Sequence, residues 1–425
     1  MRKKCNYFLM HLSINTLAMI LLLRCGPISC FGQTWTLTGT PTNFNWSCIA
    51  GSADGTKLVA ANHDGTINGT NGVWVSTNSG ATWSLTGAPI TNDWWAVASS
   101  ADGSQLAATD AYYGLIYTSA DSGTTWTQAN LPIWTWRSIA MSADGAKLVV
   151  SAGNPAFNQY IFTSEDAGVT WVSNSVPGMF AVFVASSADG NSLVAAANTG
   201  YILTSTNAGA TWQSVLSGLT FGFYSVASSS SGSTLMAGGE DYILVSTNSG
   251  ATWNSNNFSA LVGPGTVGSC ASSADGDTLV AVVTSANLDL KGAGIILIST
   301  NSGAAWTQAN APIEEWSGVT ASADGCQLAG SAYNDPFTPF PTAWYGGGVY
   351  TSKSTPAPYM NIMQQKSNLT LSWTVPSMNF VIQQSPNLVG WTDMTNLPVL
   401  NPANLQDEVL APLPSSKEFY RLTAF

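Results

Sequence analysis

Charge is what this chain has least of. Only 8% of its 425 residues are Asp, Glu, Lys or Arg, and 12 basic side chains stand against 23 acidic ones, a formal net charge of -11. Beyond Arg2, Lys3 and Lys4 there is no cluster of Lys and Arg to neutralise successive phosphates, so nucleic acid is excluded as a partner. Anionic membrane surfaces are disfavoured for the same reason. Histidine is almost missing: His11 lies near the N-terminus and His63 stands alone in its segment, which supports neither a His-based triad nor a His metal cluster. Of the six cysteines, Cys5, Cys25 and Cys30 fall in the first 32 residues. Cys48, Cys270 and Cys326 remain, an odd set without C-x-x-C spacing, and they are expected as buried free thiols. Nothing in the pattern calls for a metal or a cofactor.

A long apolar run is also lacking. The stretch Leu12–Leu23 is followed by Arg24 and is too short for a ~30 Å hydrocarbon core. With Arg2, Lys3 and Lys4 before it and Cys30, Phe31 and Gly32 after it, residues 1–32 read as an export signal. The mature chain then begins near Gln33, without a transmembrane segment, as a secreted, periplasmic or cell-surface monomer.

What the chain has in abundance is Gly, Ser, Thr, Asn and a repeat. STNSGATW ends at Trp83, and variants of it end at Trp126, Trp171, Trp212, Trp253 and Trp306, at spacings of 43, 45, 41, 41 and 53 residues. A period near 40 to 45 residues with four short strand-like runs per unit predicts a β-propeller. A second marker, SADG, closes at Gly55, Gly103, Gly145, Gly190, Gly276 and Gly325, with SSSG at Gly232 as a seventh copy. Each unit therefore reads as strand a, the SADG turn, strand b, a loop, strand c, the box turn and strand d. The last unit has no box Trp, whereas Gln33–Gly39 (QTWTLTG) matches ATWSLTG at 81–87. The N-terminal strand should thus complete the seventh blade and close the ring, removing exposed edges.

The boxes themselves read as fasteners. Asn78, Asp121, Asp166, Asn207, Asn248 and Asn301 can bond nearby backbone amides, and Gly80, Gly123, Gly168, Gly209, Gly250 and Gly303 take the φ > 0 position. Trp83, Trp126, Trp171, Trp212, Trp253 and Trp306 pack into the blades. Asn in four of the six copies supports this, because an amide caps a turn but is neither an acid nor a base.

These boxes resemble the S-x-D-x-G-x-T-W pattern of Asp-box (BNR-repeat) propellers, the group of sialidases, sortilin-like receptors, xyloglucan-degrading glycosidases and photosystem II assembly factors. The SADG element is similar to the turn of YVTN-type propellers. The resemblance covers residues 33–353 and implies a fold, since such boxes occur in enzymes, receptors and chaperones alike. A sialidase needs three arginines, and Arg137 is the only one between residues 33 and 353. The arginine-rich patch of the assembly factors is missing for the same reason. Glycosidases of this group work in a cleft between two propellers, and one is present here.

In a propeller the b-to-c and d-to-a connections share one face, opposite both turn types, and loops on a rigid scaffold are where binding function concentrates. Long loops at 61–72, 285–294 and 331–348 belong to blades 1, 6 and 7, neighbours around the ring. Loop aromatics Tyr112, Tyr113, Trp134, Phe337, Trp344 and Tyr345 are the candidate ligand contacts, suited to a glycan or an extracellular protein. Trp46, Trp94, Trp136, Phe223 and Trp316 recur at the start of strand a and are expected to pack. Carboxylates on this face are Asp64, Asp93, Asp110, Glu240, Asp241, Asp289, Glu314, Glu315 and Asp335. A hydrolase would need two at a defined separation; Glu315 is the candidate acid, with Asp335 or Asp64 as its partner.

After a linker at 354–358, segments 368–375, 379–388, 390–395, 407–412 and 418–425 alternate as strands. They predict an Ig/Fn3-like β-sandwich over 359–425 and resemble C-terminal modules of exported bacterial proteins, which implies surface display, secretion or adhesion. The expectation is an all-β chain: a seven-bladed propeller that binds rather than catalyses, plus a small sandwich. A glycoside hydrolase or lyase and a structural or assembly-factor propeller stand as alternatives.

Overall fold

The computed structural model describes residues 9–10, 34–41, 44–63, 71–110, 113–153, 158–176, 179–180, 182–285, 294–333 and 347–353. It also describes 360–365, 368–374, 380–385, 392–395, 398–401, 403, 406–412 and 419–424. Seven four-stranded antiparallel sheets form the blades. Strand a is Asn45–Gly51 in blade 1, Trp94–Ser99 in blade 2, Thr135–Met141 in blade 3 and Val182–Ser186 in blade 4. It is Phe223–Ser228 in blade 5, Gly265–Ser272 in blade 6 and Trp316–Ala321 in blade 7. Each strand a contacts strand a of both neighbouring blades, so these seven strands form the inner ring.

The ring closes with the N-terminal strand. Thr34–Leu37 pairs antiparallel with Gly348–Lys353, strand c of blade 7, in register Thr34 with Lys353 and Leu37 with Tyr350. Trp35 is thereby buried against Trp316 and Tyr350. Cores lie between adjacent blades; Val59, Ala61 and Val73 of blade 1, for example, pack on Trp94, Val97 and Leu106 of blade 2.

Both turn types are reinforced by side chains. In the a-to-b turns the serine is buried: Ser100 Oγ donates to Asp102 Oδ1 (2.6 Å) and accepts the N–H of Gln105 (3.0 Å), and the pattern recurs at Ser142, Ser187, Ser273 and Ser322. The following residue forms a belt that the side-chain pattern does not announce. The N–H groups of Ala53, Ala101, Ala143, Ala188, Ser230 and Ala274 each donate to the carbonyl of the equivalent residue one blade on, and Ala323 donates back to Ala53. All seven bonds measure 2.7 to 2.9 Å, a closed circle around the axis. On this face the channel opens into a cavity of ≈ 160 Å³ lined by the same alanines and serines.

The box turns fasten as expected and show why Asn serves as well as Asp. Ser76 Oγ donates to Asn78 Oδ1 (3.0 Å), which also accepts the N–H of Thr82 (2.8 Å). Asn78 Nδ2 then donates to Thr82 Oγ1 (2.9 Å), whereas in the acidic copy the Thr125 hydroxyl donates to Asp121 Oδ2 (2.7 Å). A hydroxyl both donates and accepts, so the turn holds with either residue. The residue before the box glycine is also left-handed, φ +56 at Ser79 and Ala167, and its N–H bonds the carbonyl just past the a-to-b turn of the same blade.

C-terminal to the propeller lie two small four-stranded sheets sharing one core of Leu369, Leu371, Trp373, Ile382, Val409, Ala411 and Tyr420. Five strands match the expected segments; Met360–Gln365 and Val399–Asn401 were not anticipated. Of the expected leader, only Leu9–Met10 is described, pairing with Tyr420 and Phe419; the linker lies outside the described residues. Cys48, Cys270 and Cys326 are free thiols, and burial pushes Cys48 and Cys270 up to about 12. Among the described residues no helix is long and apolar enough to cross a membrane.

Candidate functional site at the loop-face mouth

Strand a carries a β-bulge near its loop-face end in six of the seven blades. Pairing with strand b skips Ser47, Trp95, Arg137, Tyr224, Gly268 and Ser317, whereas blade 4 pairs without a break. A bulge adds a residue and re-aims its side chain. The residue just before each bulge stays in the core: Trp46, Trp94, Trp136, Phe223, Val267 and Trp316 are all buried, so the expected packing column is real. The skipped residue belongs to the strand that forms the inner rim of the ring and varies sharply between blades: Ser47 Oγ and Ser317 Oγ donate to the carbonyls of Trp94 and Trp46 in the next blade, whereas Trp95 is exposed.

On blades 7, 1 and 2 this rim becomes a cluster. His63 ends strand b of blade 1 (Leu58–His63), and its ring lies between Trp95 of blade 2 (centroids 6.0 Å apart) and Tyr333 of blade 7 (5.6 Å, edge-on). Asp93 Oδ1 is 3.7 Å from His63 Nδ1. Trp95 is 40% exposed, unlike its buried neighbour Trp94. Glu315 sits at the start of blade 7, where its carbonyl accepts the Tyr333 N–H (2.9 Å). Burial first, and then negative charge at Cys48 and Glu315, push the Tyr333 phenol up to about 12. The cluster thus offers one open indole face beside an imidazole and two carboxylates. Among the described residues no group of His, Cys, Asp and Glu is arranged to hold a metal.

The other expected site residues are distributed as follows. Tyr113 is exposed, and its N–H bonds Asp110 Oδ1, which also accepts the Asp93 N–H; Asp110 itself is buried and orders these two connections. Trp134 is half-buried against Tyr160 (4.8 Å) and Phe162 (5.3 Å), so its ring belongs to the blade 3 packing and not to an open loop. Glu314 is not a loop-face acid but is 4% exposed, with Oε1 accepting the Tyr350 hydroxyl (2.6 Å), and burial raises its pKa. Glu240 accepts the Tyr224 hydroxyl (2.6 Å), a bond that leads the rise of that phenol to about 12. Asp64, Tyr112, Asp289, Asp335, Phe337, Trp344 and Tyr345 lie outside the described residues. His63, Trp95 and Tyr333 were missed as a site because their contacts cross three blades. The one available signal was the doubled Trp94-Trp95, where strand alternation cannot bury both rings.

Ring order, blade closure and rim together define a seven-bladed β-propeller. No family model matches the chain, and no curated protein does. Among solved structures it is similar to one described as U3-55K, at 13% identity and a TM-score of 0.59, over 75% of this chain and 98% of that one. It is also similar to YCF48 from Cyanidioschyzon merolae (12% identity, TM-score 0.53, 75% of this chain and 98% of that one). A GH74 xyloglucanase from Xanthomonas campestris matches at 13% identity and a TM-score of 0.52, over 81% of this chain and 60% of the enzyme. At such identities the likeness is one of fold.

Proposed function

We propose that this chain is an exported binding propeller of the Asp-box type whose loop-face mouth, on blades 7, 1 and 2, recognises a glycan. The observation that carries this is the 40% exposed Trp95 ring beside His63, with Asp93 next to the imidazole. A sugar presents an apolar ring face and a rim of hydroxyls; an indole face takes the first, and carboxylate and imidazole take the second. The fold neighbours are compatible with binding, since one structure is of YCF48 bound to a D1 peptide and another is a xyloglucanase. The C-terminal sheets serve, as an Ig/Fn3-like sandwich, in display or adhesion.

A glycan-array screen of the full chain tests the reading, with Trp95→Ala and His63→Gln alongside. Removing the indole should weaken binding roughly tenfold or more, the scale of one well-placed ring. Silence across the array, or binding that ignores Trp95→Ala, overturns the proposal. Cleavage of a bound glycan that stops with Glu315→Gln would instead make the protein a hydrolase.

A further inference from the structure

The end of the channel opposite the loop face has a chemistry of its own. Its cavity of ≈ 160 Å³ is far larger than the ~10–15 Å³ that one water needs. Strand a of every blade reaches this cavity with its last residue, which is Ser99, Ser186, Ser228 or Ser272 in four blades and Met141 in blade 3. Each of those four hydroxyls donates to the carbonyl of the residue after it, at 2.9 to 3.1 Å. The belt N–H groups around the cavity are spent on the neighbouring blade, and the lining hydroxyls of Ser52, Ser187 and Ser273 donate to Asp54, Asp189 and Asp275. What these groups have left to offer a ligand is lone pairs. Between them stand the methyl groups of the belt alanines and the thioether of Met141.

A lining of acceptor oxygens and methyl groups suits a ligand that donates several hydrogen bonds at one end and is apolar behind it, which describes a primary alkylammonium. A sugar hydroxyl would need donors as well as acceptors. A divalent metal would need converging carboxylates, and among the described residues no such group exists. The charge around the cavity agrees. The residue after the belt position is an acid in six blades, from Asp54 to Asp324. At Asp102, Asp144 and Asp189 loss of water would raise the carboxyl, but turn hydrogen bonds and the charges of Lys57 and Lys147 hold it low. On blades 6 and 7 the balance reverses. Burial, with negative charge at Asp275 adding to it, raises Asp324 to about 6, and loss of water, with Asp277 adding to it, raises Asp275. Among the described residues the only ion pair is His63 with Asp93, so neither of these two acids has a cation of its own. Ala274 and Ala323, which directly precede them, line the cavity.

We propose that this end of the channel binds a primary alkylammonium, from a free diamine or a lysine side chain, whose N–H groups take the lone pairs of the strand-end serines and whose charge offsets Asp275 and Asp324. The site lies on the face opposite the Trp95 mouth and does not depend on that reading.

The test is calorimetric titration of the full chain at an ionic strength of about 0.15 M, where attraction between distant charges is screened. The probes are cadaverine, Nα-acetyl-lysine amide, the neutral twin 1,5-pentanediol, and calcium chloride alone. The amines should bind, with pentanediol about tenfold or more weaker, the scale of a charge-assisted hydrogen bond. Tighter binding of cadaverine supports the site with a free diamine as its ligand, and tighter binding of the lysine amide supports it with a protein lysine. Asp275→Asn with Asp324→Asn, which keeps the turn bonds these acids accept, should weaken the amines about tenfold. Met141→Lys, which places an ammonium in the cavity, should abolish binding. Asp121→Asn, which removes an equal charge at a box turn of the same face, should change it less than twofold. Silence of both amines, equal binding of pentanediol, binding of calcium in their place, indifference to Met141→Lys and to the double Asn variant, or an equal loss with Asp121→Asn would each overturn the proposal.

Discussion

Ring closure can be tested at one side chain. The closing strand Thr34–Leu37 pairs only four residues with its neighbour, and Trp35 is its one buried side chain, 8% exposed. Its ring centroid is 5.6 Å from that of Trp316 in a cluster that includes Val319, Leu328 and Tyr350. An indole buries on the order of 200 Å², and at ~25 cal/mol/Å² that sets an upper bound of about 5 kcal/mol. Trp→Ala truncations in cores cost about 3–5 kcal/mol. Trp35→Ala should therefore destabilise the propeller by about 3–4 kcal/mol in urea unfolding, and protease should cut first near the N-terminus. Trp212→Ala, at a half-buried box position, is the control and should cost clearly less. A loss below about 1 kcal/mol for Trp35→Ala would refute the argument. It would assign closure to the bonds that join blade 7 to blade 1 without Trp35, namely Ala323 N–H to Ala53 carbonyl and Ser317 Oγ to Trp46 carbonyl.

Other outcomes follow from the turns and the buried acids. Ala167→Gly should stabilise by about 0.5–1 kcal/mol, since relief of a left-handed Ala outweighs the added chain entropy. Asn78→Asp should be neutral within about 0.5 kcal/mol, whereas Asn78→Ala, which loses the bonds to Ser76 and Thr82, should cost about 1–2 kcal/mol by thermal unfolding. Burial raises Asp324 from 3.8 to about 6, so between those values the folded chain holds a proton that the unfolded chain has released. Stability should fall as pH rises through that window, and Asp324→Asn should flatten the slope while keeping the bonds from Ser322 and Cys326. Glu314→Gln should likewise stabilise the protein more at pH 7 than at pH 4, because burial raises this carboxyl too.

Blade number, strand order and the closing strand were legible because each rests on a residue pattern with a physical reason: a turn that needs Gly, a serine that needs a nearby acid, a strand lacking its partner. The backbone belt was not, since bonds between main-chain groups leave no mark on side-chain choice; Ala53, Ala101 and Ala143 read only as small turn residues. The bulges were hidden because they are a matter of pairing register, and Ser47, Trp95, Arg137 and Gly268 share no chemistry that would align them. His63 looked isolated because its partners come from blades whose sequences lie 30 residues downstream and 270 residues away. Trp134 lies in a connection as expected, but its half-burial against Tyr160 and Phe162 was hidden because those rings come from a strand some 25 residues downstream.

The two kinds of position answer to different demands. Box and a-to-b turns must satisfy buried backbone groups in every blade, so they tolerate only substitutions that keep the same donors and acceptors, as Asn for Asp does through the Thr hydroxyl. The bulged residue has left the ladder and answers to a looser demand: Ser47 and Ser317 bond carbonyls of a neighbouring blade, while Trp, Arg, Tyr and Gly occur at the other four positions. Freedom at the bulged position of those four blades lets recognition change without touching the fold. Exchanging the bulged residues should therefore move ligand preference while leaving the unfolding midpoint nearly fixed. Trp95→Gly, Arg137→Gly and Tyr224→Gly are the variants to compare, and a midpoint that fell with each of them would show that the rim supports the ring after all.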